Sequence, residues 1–154
     1  MNLKVCWIGK TKEAAIASLT AEYMKRMGRY IPSDAHELAS EEALLALMEK
    51  LAARTRPILV LLDQRGRQFT SEEFAELLSA QQERGAQNVI FAIGPADGFA
   101  QSTRDAADLV VSFGKMTLSH ELARVVLLEQ LYRAFTILKG HPYHTGHETP
   151  GSRR

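Results

Sequence analysis

The side chains best suited to chemistry lie near the C-terminus, where three histidines recur at three-residue spacing. The segment His141-Pro-Tyr-His144-Thr-Gly-His147 offers imidazole and phenol groups, which move protons or bind metals. Zinc sites often add a carboxylate or thiolate to histidine ligands, and this motif contains neither. The segment therefore favours a mobile polar tail over a metal centre, and no metal is expected.

Loops that contain glycine form a second group of candidates. Gly94 and Gly98 follow the apolar run 89–93, and glycines so placed either make a turn or let backbone approach a ligand. A second such loop, 113–119, follows another apolar run. The sequence has no P-loop, no G-x-G-x-x-G fingerprint and no G-x-S-x-G elbow. These loops indicate a ligand site without identifying the ligand.

The apolar pattern predicts that a parallel α/β sheet positions these loops. The runs 58–62 and 89–93 are apolar at every position, which is typical of strands buried on both faces. Strands are predicted at 3–8, 35–38, 58–62, 89–93 and 109–113, alternating with helices at 11–27, 40–54, 70–84, 101–107 and 119–138. Ligands of such sheets bind beyond the carboxyl ends of the strands, where the loops 9–12, 63–67, 94–98 and 113–119 begin.

The last predicted helix is apolar on nearly all sides. Of the 21 residues from Leu118 to Leu138, 13 are apolar. One arc is expected to face the sheet, and it contains Leu127, Leu131, Ala134, Phe135 and Leu138. Other apolar side chains lie outside this arc, so the helix needs cover on more than one side. A homodimer is the simplest arrangement that provides it.

Composition indicates an ordinary globular protein of one domain. The chain has 154 residues, one cysteine and a net charge of +1, and it begins directly with a strand-like pattern. We expect a cytoplasmic protein with no membrane span, in which Cys6 is a buried apolar side chain. Residues 1–29 carry six basic and two acidic side chains, and residues 113–154 carry six and three. The two basic ends either reflect surface variation or meet in space as a patch that attracts phosphate.

Several segments together resemble a known family. They are Trp7-Ile-Gly-Lys10, Leu61-Leu-Asp-x-x-Gly66, Phe91-Ala-Ile-Gly94-x-x-x-Gly98, Ser112-Phe-x-Lys-Met-Thr-Leu-x-His120, Arg124-Val-Val-Leu-Leu-Glu-Gln-Leu-Tyr-Arg-Ala134 and His141-Pro-Tyr-His144. In order and spacing this set resembles the ribosomal RNA large-subunit methyltransferase H family of the SPOUT superfamily. The resemblance covers residues 1–144 as one methyltransferase domain, and residues 145–154 are expected to be a disordered tail.

The resemblance implies a fold and an activity. The fold is a parallel sheet flanked by helices, with a C-terminal trefoil knot that departs from the usual rule against threading. The protein is expected to be a homodimer that transfers a methyl group from S-adenosylmethionine to N3 of a pseudouridine in 23S rRNA. The expected substrate is the assembled ribosome, and no metal or membrane is involved.

The resemblance also implies site residues. Carried over by position, the cofactor site comprises Leu62, Gly94, Phe113, Gly114, Lys115, Met116, Thr117 and Leu118. Gly94 is expected to let backbone approach the methionyl group without a Cβ clash. The loop departs from the family pattern where Pro95 replaces a second glycine and Asp97 replaces a common glutamate. These departures concern hydrogen bonding in the loop.

Three residues are catalytic candidates. His144 or Tyr143 is expected to act as the base or to orient it, because N3 must lose a proton as it attacks the methyl group. Arg124 is expected to hold a phosphate or to stabilise the developing anion, although an ion pair within the fold is the alternative. Two other functions remain open: a SPOUT methyltransferase acting on tRNA, and a dimeric ligand-binding module without catalysis.

Overall fold

The structure is a computed structural model of the 154-residue chain, and it describes residues 1–145. Its elements are β1 (Asn2–Ile8), α1 (Ala14–Met27), β2 (Ser33–Leu38), α2 (Glu41–Ala52), β3 (Ile58–Gln68), α3 (Ser71–Glu83), β4 (Asn88–Ile93), α4 (Gln101–Ala106), β5 (Leu109–Ser112), α5 (His120–Leu138) and a 3₁₀ turn (Pro142–Thr145). Every predicted strand and helix is present, with ends that differ by a few residues except in β3. The expected disordered tail lies outside the described residues, apart from Thr145, which ends the 3₁₀ turn.

The five strands form one parallel sheet in the order β2-β1-β4-β3-β5. The central strands β3 and β4 contain the fully apolar runs and are buried on both faces, which confirms the predicted fold class. Helices α1, α3 and α5 cover one face, packing against alternate strand residues such as Val5 and Phe91. On the other face α2 packs against the alternating set that includes Cys6 and Ile90.

Cys6 is fully buried, as predicted. Desolvation in this core raises the pKa of its thiol to about 12, so the side chain remains a protonated thiol at neutral pH. It therefore serves packing.

Strand β3 is longer than the sequence indicates. The prediction of a loop at 63–67 is wrong, because these residues belong to the strand. The strand pairs with β5 through Leu62, leaves the ladder, and pairs again at Arg67 opposite the same residue, Val111. Gly66 permits this return because a Cβ at its position would lie 2.5 Å from the carbonyl oxygen of Val110. The displaced segment between Leu62 and Arg67 forms one wall of the site described below.

Local capping signals match the observed helix starts. The Thr70 hydroxyl accepts from the backbone N–H of Glu73, whose side chain accepts from the backbone N–H of Thr70. This reciprocal pair is a capping box, which the pattern Thr70-Ser-Glu-Glu73 indicates. The hydroxyls of Ser40 and Ser119 cap α2 and α5 in the same way, by accepting from the N–H three residues on.

Helix α5 buries most of its predicted inner arc. Leu127, Leu131 and Ala134 are inaccessible to solvent, whereas Leu138 is 36% exposed because it lies in the last turn of the helix. The expectation that Leu138 faces the sheet is therefore wrong. Leu122 is 52% exposed on the opposite side. Among residues 1–145 no helix has the combined length and apolarity that crossing a bilayer requires.

Candidate functional site

A cleft of about 370 Å³ opens at the carboxyl ends of β3, β4 and β5. This is where ligands bind in open α/β sheets, and the volume falls within the range of small-molecule sites. The displaced part of β3 between Leu62 and Arg67, the β4–α4 loop and the β5–α5 loop supply its walls, and the first turns of α5 close one end. The lining residues are 62–65, 93–98, Val111, Phe113, Gly114, Met116, Thr117, Leu118, His120 and Ala123.

The cleft brings together seven of the eight residues predicted to bind the cofactor. They are Leu62, Gly94, Phe113, Gly114, Met116, Thr117 and Leu118. Lys115 is exposed and does not line the cleft. Met116 is 88% exposed and Leu118 41%, so this apolar loop is open to solvent in the single chain. The cofactor assignment of all eight residues remains a prediction.

Asp63 and Arg65 form a fork that joins two walls of the cleft. The Asp63 carboxylate accepts from Nε of Arg65 at 2.8 Å and from Nη2 at 2.7 Å, and Nη2 also donates to the carbonyl of Phe99. Only 2% of the Asp63 side chain is exposed. The hydrogen bonds from Arg65 hold the pKa of Asp63 at about 2, so it is a carboxylate at neutral pH. The fork ties the displaced part of β3 to the β4–α4 loop.

The β4–α4 loop contains Gly94, whose missing side chain makes room for a ring of the protein. A Cβ at Gly94 would lie 3.0 Å from the ring of Phe99. The expected approach of the Gly94 backbone to the methionyl group stays a prediction. Phe99 is 2% exposed beneath the loop. Pro95 participates through its carbonyl, which accepts from the N–H of Gly98 at 2.8 Å. Replacing a glycine by Pro95 is thus compatible with a closed turn, and Asp97 lies exposed at its tip.

Glu121 joins the first turn of α5 to the start of α1. Its carboxylate accepts from the backbone N–H groups of Lys12 and Glu13, at 3.1 and 3.2 Å. The N-cap residue of α1, Glu13, makes no side-chain cap of its own, so Glu121 supplies the cap from a distant part of the chain. Helices α1 and α5 pack together, and the two basic ends of the sequence therefore meet in space.

Arg124 lies beneath this junction and is 1% exposed. Its guanidinium stacks on Trp7 at 3.8 Å from the ring centroid, and Nη1 donates to Thr20 at 3.3 Å. Nε and Nη2 have no hydrogen-bond partner among residues 1–145. Burial lowers the pKa of Arg124, an effect opposed by the carboxylates of Glu121 and Glu37. Arg124 is thus enclosed between Trp7 and Thr20, and its predicted catalytic role stays a prediction.

Tyr143 lies at the other end of α5. Its hydroxyl donates to Glu129, and its ring packs edge-on against Tyr132 at 4.8 Å. Burial and this carboxylate raise the pKa of Tyr143. Glu129 lies nine positions after His120 on the same helix, a distance of about 14 Å along the axis. Because His120 lines the cleft, the Tyr143 that contacts Glu129 is distant from the cleft of its own chain. The side chain of His144 lies outside the described part of the chain, so its predicted role is not tested.

Comparison with known proteins identifies the family. The family described as "Predicted SPOUT methyltransferase" matches residues 1–144. The chain is 58% identical over 147 residues to the Ribosomal RNA large subunit methyltransferase H of Koribacter versatilis, covering 96% of this chain and 100% of that protein. The chain belongs to the methyltransferase H family. The relative of the same name from Geotalea daltonii is 42% identical over 152 residues, covering 94% of this chain and 99% of its own.

Solved structures agree with the SPOUT fold of this methyltransferase H family member. The SpoU methyltransferase AviRb from Streptomyces viridochromogenes, solved in complex with AdoMet, matches with a TM-score of 0.54 at 15% identity. The match covers 90% of this chain and 58% of AviRb. A probable methylase family protein from Haemophilus influenzae matches with a TM-score of 0.56 at 13% identity, covering 97% and 72%. These matches support the fold alone.

Three polar residues of the site had no predicted role in this methyltransferase H family member. Asp63 and Arg65 belong to the segment 63–67, which the sequence marks only by its position after an apolar run. Their fork also contacts Phe99, which is more than thirty positions away in the chain. His120 falls within the family motif and lines the cleft. Their roles become clear only in the folded protein, where elements distant in sequence form the walls of the cleft. Within residues 1–145 no group of His, Cys, Asp and Glu side chains is arranged to hold a metal.

Proposed function

We propose that this chain transfers a methyl group from S-adenosylmethionine to N3 of a pseudouridine in 23S rRNA, acting on the assembled ribosome. The observation that carries the proposal is the cleft in which seven of eight predicted cofactor residues meet at the edge of the sheet. Membership of the methyltransferase H family supports methyl transfer as the reaction and ribosomal RNA as the substrate.

The residues of the cleft fit the cofactor. Phe113, Met116 and Leu118 offer apolar walls for an adenine ring, with backbone N–H and C=O groups of the same loop for its edge. The fork of Asp63 and Arg65 fixes the opposite wall, so the site is organised before a ligand arrives. When bound, the cofactor supplies a sulfonium methyl group, which leaves a neutral thioether after transfer.

We further propose that the protein is a homodimer, and a group of exposed apolar residues supports this proposal. Met116, Leu118 and Leu122 lie exposed next to one another along the β5–α5 loop and the start of α5. A second copy packed here covers this surface and can bring its own C-terminal segment to the cleft, from which Tyr143 of the same chain is distant. The proposal includes a trefoil knot formed by the C-terminal part of the chain and a cytoplasmic location.

The test is transfer of labelled methyl from S-adenosylmethionine to three separate substrates. These are 70S ribosomes that lack the modification, free 23S rRNA and tRNA. We expect label in the ribosomes alone, located at N3 of a pseudouridine by mass spectrometry of the digested rRNA. Label in tRNA alone supports the tRNA alternative, and label in none of the three contradicts methyl transfer.

A matched pair of variants connects the activity with the cleft. Phe113→Ala removes part of an apolar wall, and we expect cofactor affinity measured by calorimetry to fall about tenfold. Leu19→Ala removes a similarly exposed apolar side chain from α1 and is the control, since Leu19 does not line the cleft. Equal affinities for the two variants would contradict the placement of the cofactor.

A further inference from the structure

The imidazole of His120 lies in the wall of the cleft, and its buried nitrogen has no hydrogen-bond partner among the described residues. It is the first residue of α5, directly after the loop predicted to bind the cofactor. Its Nδ1 is buried and has no hydrogen-bond partner among residues 1–145. A buried polar atom in this condition usually marks a place where a ligand or an ordered water binds. The ring also packs over Gly9, since a Cβ there would lie 4.0 Å from Cε1 of His120.

This position lies between two parts of the proposed site. On one side is the cleft formed by the displaced part of β3 and the loops after β4 and β5. On the other is the end of β1, where Gly9 leads into a loop that contains the exposed residues Lys10 and Lys12. His120 therefore lies between the proposed cofactor cleft and two side chains that can attract an RNA backbone.

The other titratable side chains near the cleft are poorly suited to accept a proton. Hydrogen bonds from Arg65 hold the pKa of Asp63 at about 2, which makes it a weak base. Glu121 is engaged by two backbone N–H groups. Asp97 lies exposed at the tip of its loop. Imidazole ordinarily titrates near 6.5, which suits proton transfer at neutral pH. The charged groups on the elements around His120 are Lys10, Lys12, Asp63, Arg65, Asp97, Glu121 and Arg124.

We propose that His120 accepts the N3 proton of the target pyrimidine on Nε2, since its Nδ1 is enclosed, as the methyl group is transferred. The inference rests on the proposed function. The N3–H bond breaks and its proton passes to the neutral imidazole, while the N3 electron pair forms the new bond to the methyl carbon. The carbon–sulfur bond breaks, and its electron pair remains on sulfur as the thioether. The imidazolium then returns its proton to water.

The test compares His120→Asn with His144→Ala under single-turnover conditions, at saturating cofactor and saturating ribosomes. We expect the His120→Asn rate to fall at least about a hundredfold at neutral pH. The wild-type rate should rise with pH through the range where an imidazole titrates, and the His120→Asn rate should lose that dependence. Cofactor affinity measured by calorimetry should change less than about threefold. External imidazole should restore part of the rate to His120→Ala, which also serves if His120→Asn fails to fold.

Several results would overturn the inference. A rate unchanged in His120→Asn, or a loss of cofactor affinity as large as the loss of rate, excludes proton acceptance by this residue. A pH dependence that disappears in His144→Ala and persists in His120→Asn assigns the proton to His144 instead. The proposed function is tested separately, because it fails only if the wild-type protein transfers no methyl group to ribosomes.

Discussion

The fork between Asp63 and Arg65 is expected to stabilise the fold and to shape the cleft, and Asp63→Asn tests both effects. Asparagine has nearly the same shape but carries no charge, and it retains one oxygen that accepts hydrogen bonds. The substitution therefore keeps the packing of the 2% exposed side chain but removes its charge and one of the two acceptor oxygens that bind Arg65. The change is confined to the contacts of this carboxylate, and their size follows from the structure.

The magnitude comes from the pKa of Asp63, which lies at about 2 instead of the ordinary 3.8. At about 1.36 kcal/mol per pH unit, this difference corresponds to an upper value of about 2.4 kcal/mol. Because half of the Arg65 side chain is exposed, solvent screens the pair. We therefore expect a loss of about 1 kcal/mol in the free energy of unfolding.

The pH dependence has a definite sign. A carboxylate with a lowered pKa stabilises the folded state above its unfolded pKa, and this contribution disappears as the pH falls toward the folded value. The difference between wild type and Asp63→Asn should be complete from pH 5 to 7 and should shrink as the pH falls from about 4 toward 2.

Urea unfolding across this pH range measures the difference directly. A double-mutant cycle with Arg65→Gln separates the pair from the other contacts of each side chain, and we expect a coupling energy of about 1 kcal/mol. The same variants should bind S-adenosylmethionine about fivefold more weakly, because the two cleft walls are no longer joined. A coupling energy near zero, or a difference between wild type and Asp63→Asn that persists unchanged at pH 3, would refute the reasoning.

Substitutions at three further positions test the fold by urea unfolding. Gly66→Ala places a Cβ 2.5 Å from the carbonyl oxygen of Val110 and should cost about 3 kcal/mol; a loss under 1 kcal/mol would contradict the close approach of β3 and β5. Thr70→Ala removes the capping hydroxyl and should cost about 1 kcal/mol, so an unchanged midpoint would show the cap to be dispensable. Arg124→Met should cost about 2 kcal/mol less than Arg124→Ala, because methionine fills volume that alanine leaves empty, while both variants remove the two buried nitrogens without partners. Equal losses for the two Arg124 variants would mean that its charge, rather than its bulk, stabilises this region.

The fold follows from the sequence where a signal is local. Fully apolar runs indicate the central strands, and the pattern Thr70-Ser-Glu-Glu73 indicates a capping box that the structure contains. The extension of β3 had no such signal. Its residues Arg67 and Gln68 are polar, and only their pairing with Val111 and Ser112 of β5 makes them a strand. This pairing depends on a neighbour more than forty residues away, which a local pattern does not contain.

The site, like the fold, was predictable where a signal is local and was not where contacts join distant residues. Its location was predictable, because the carboxyl ends of parallel strands bring their loops together whatever the side chains are. The contacts that hold the walls were not predictable, since the partners of Asp63 at Phe99 and of Glu121 at Lys12 come from distant parts of the chain. The packing of Phe99 against Gly94 was not predicted either, and the expected approach of a ligand to Gly94 stays a prediction.

The structure also changes how the basic ends of the sequence are understood. Counting charges gives two basic segments that α1 and α5 bring together, but three of the four arginines that the structure describes there are already engaged. Arg26 pairs with Glu22 at 2.8 Å, Arg133 pairs with Glu129 at 3.1 Å, and Arg124 is enclosed. Lys10 and Lys12 remain exposed at the end of β1 and make no ion pair within residues 1–145. Lys25, Arg29, Lys115 and Lys139 are exposed as well. The two lysines of the β1–α1 loop follow Gly9, over which His120 packs, so they lie on the same junction as the group proposed to accept the proton.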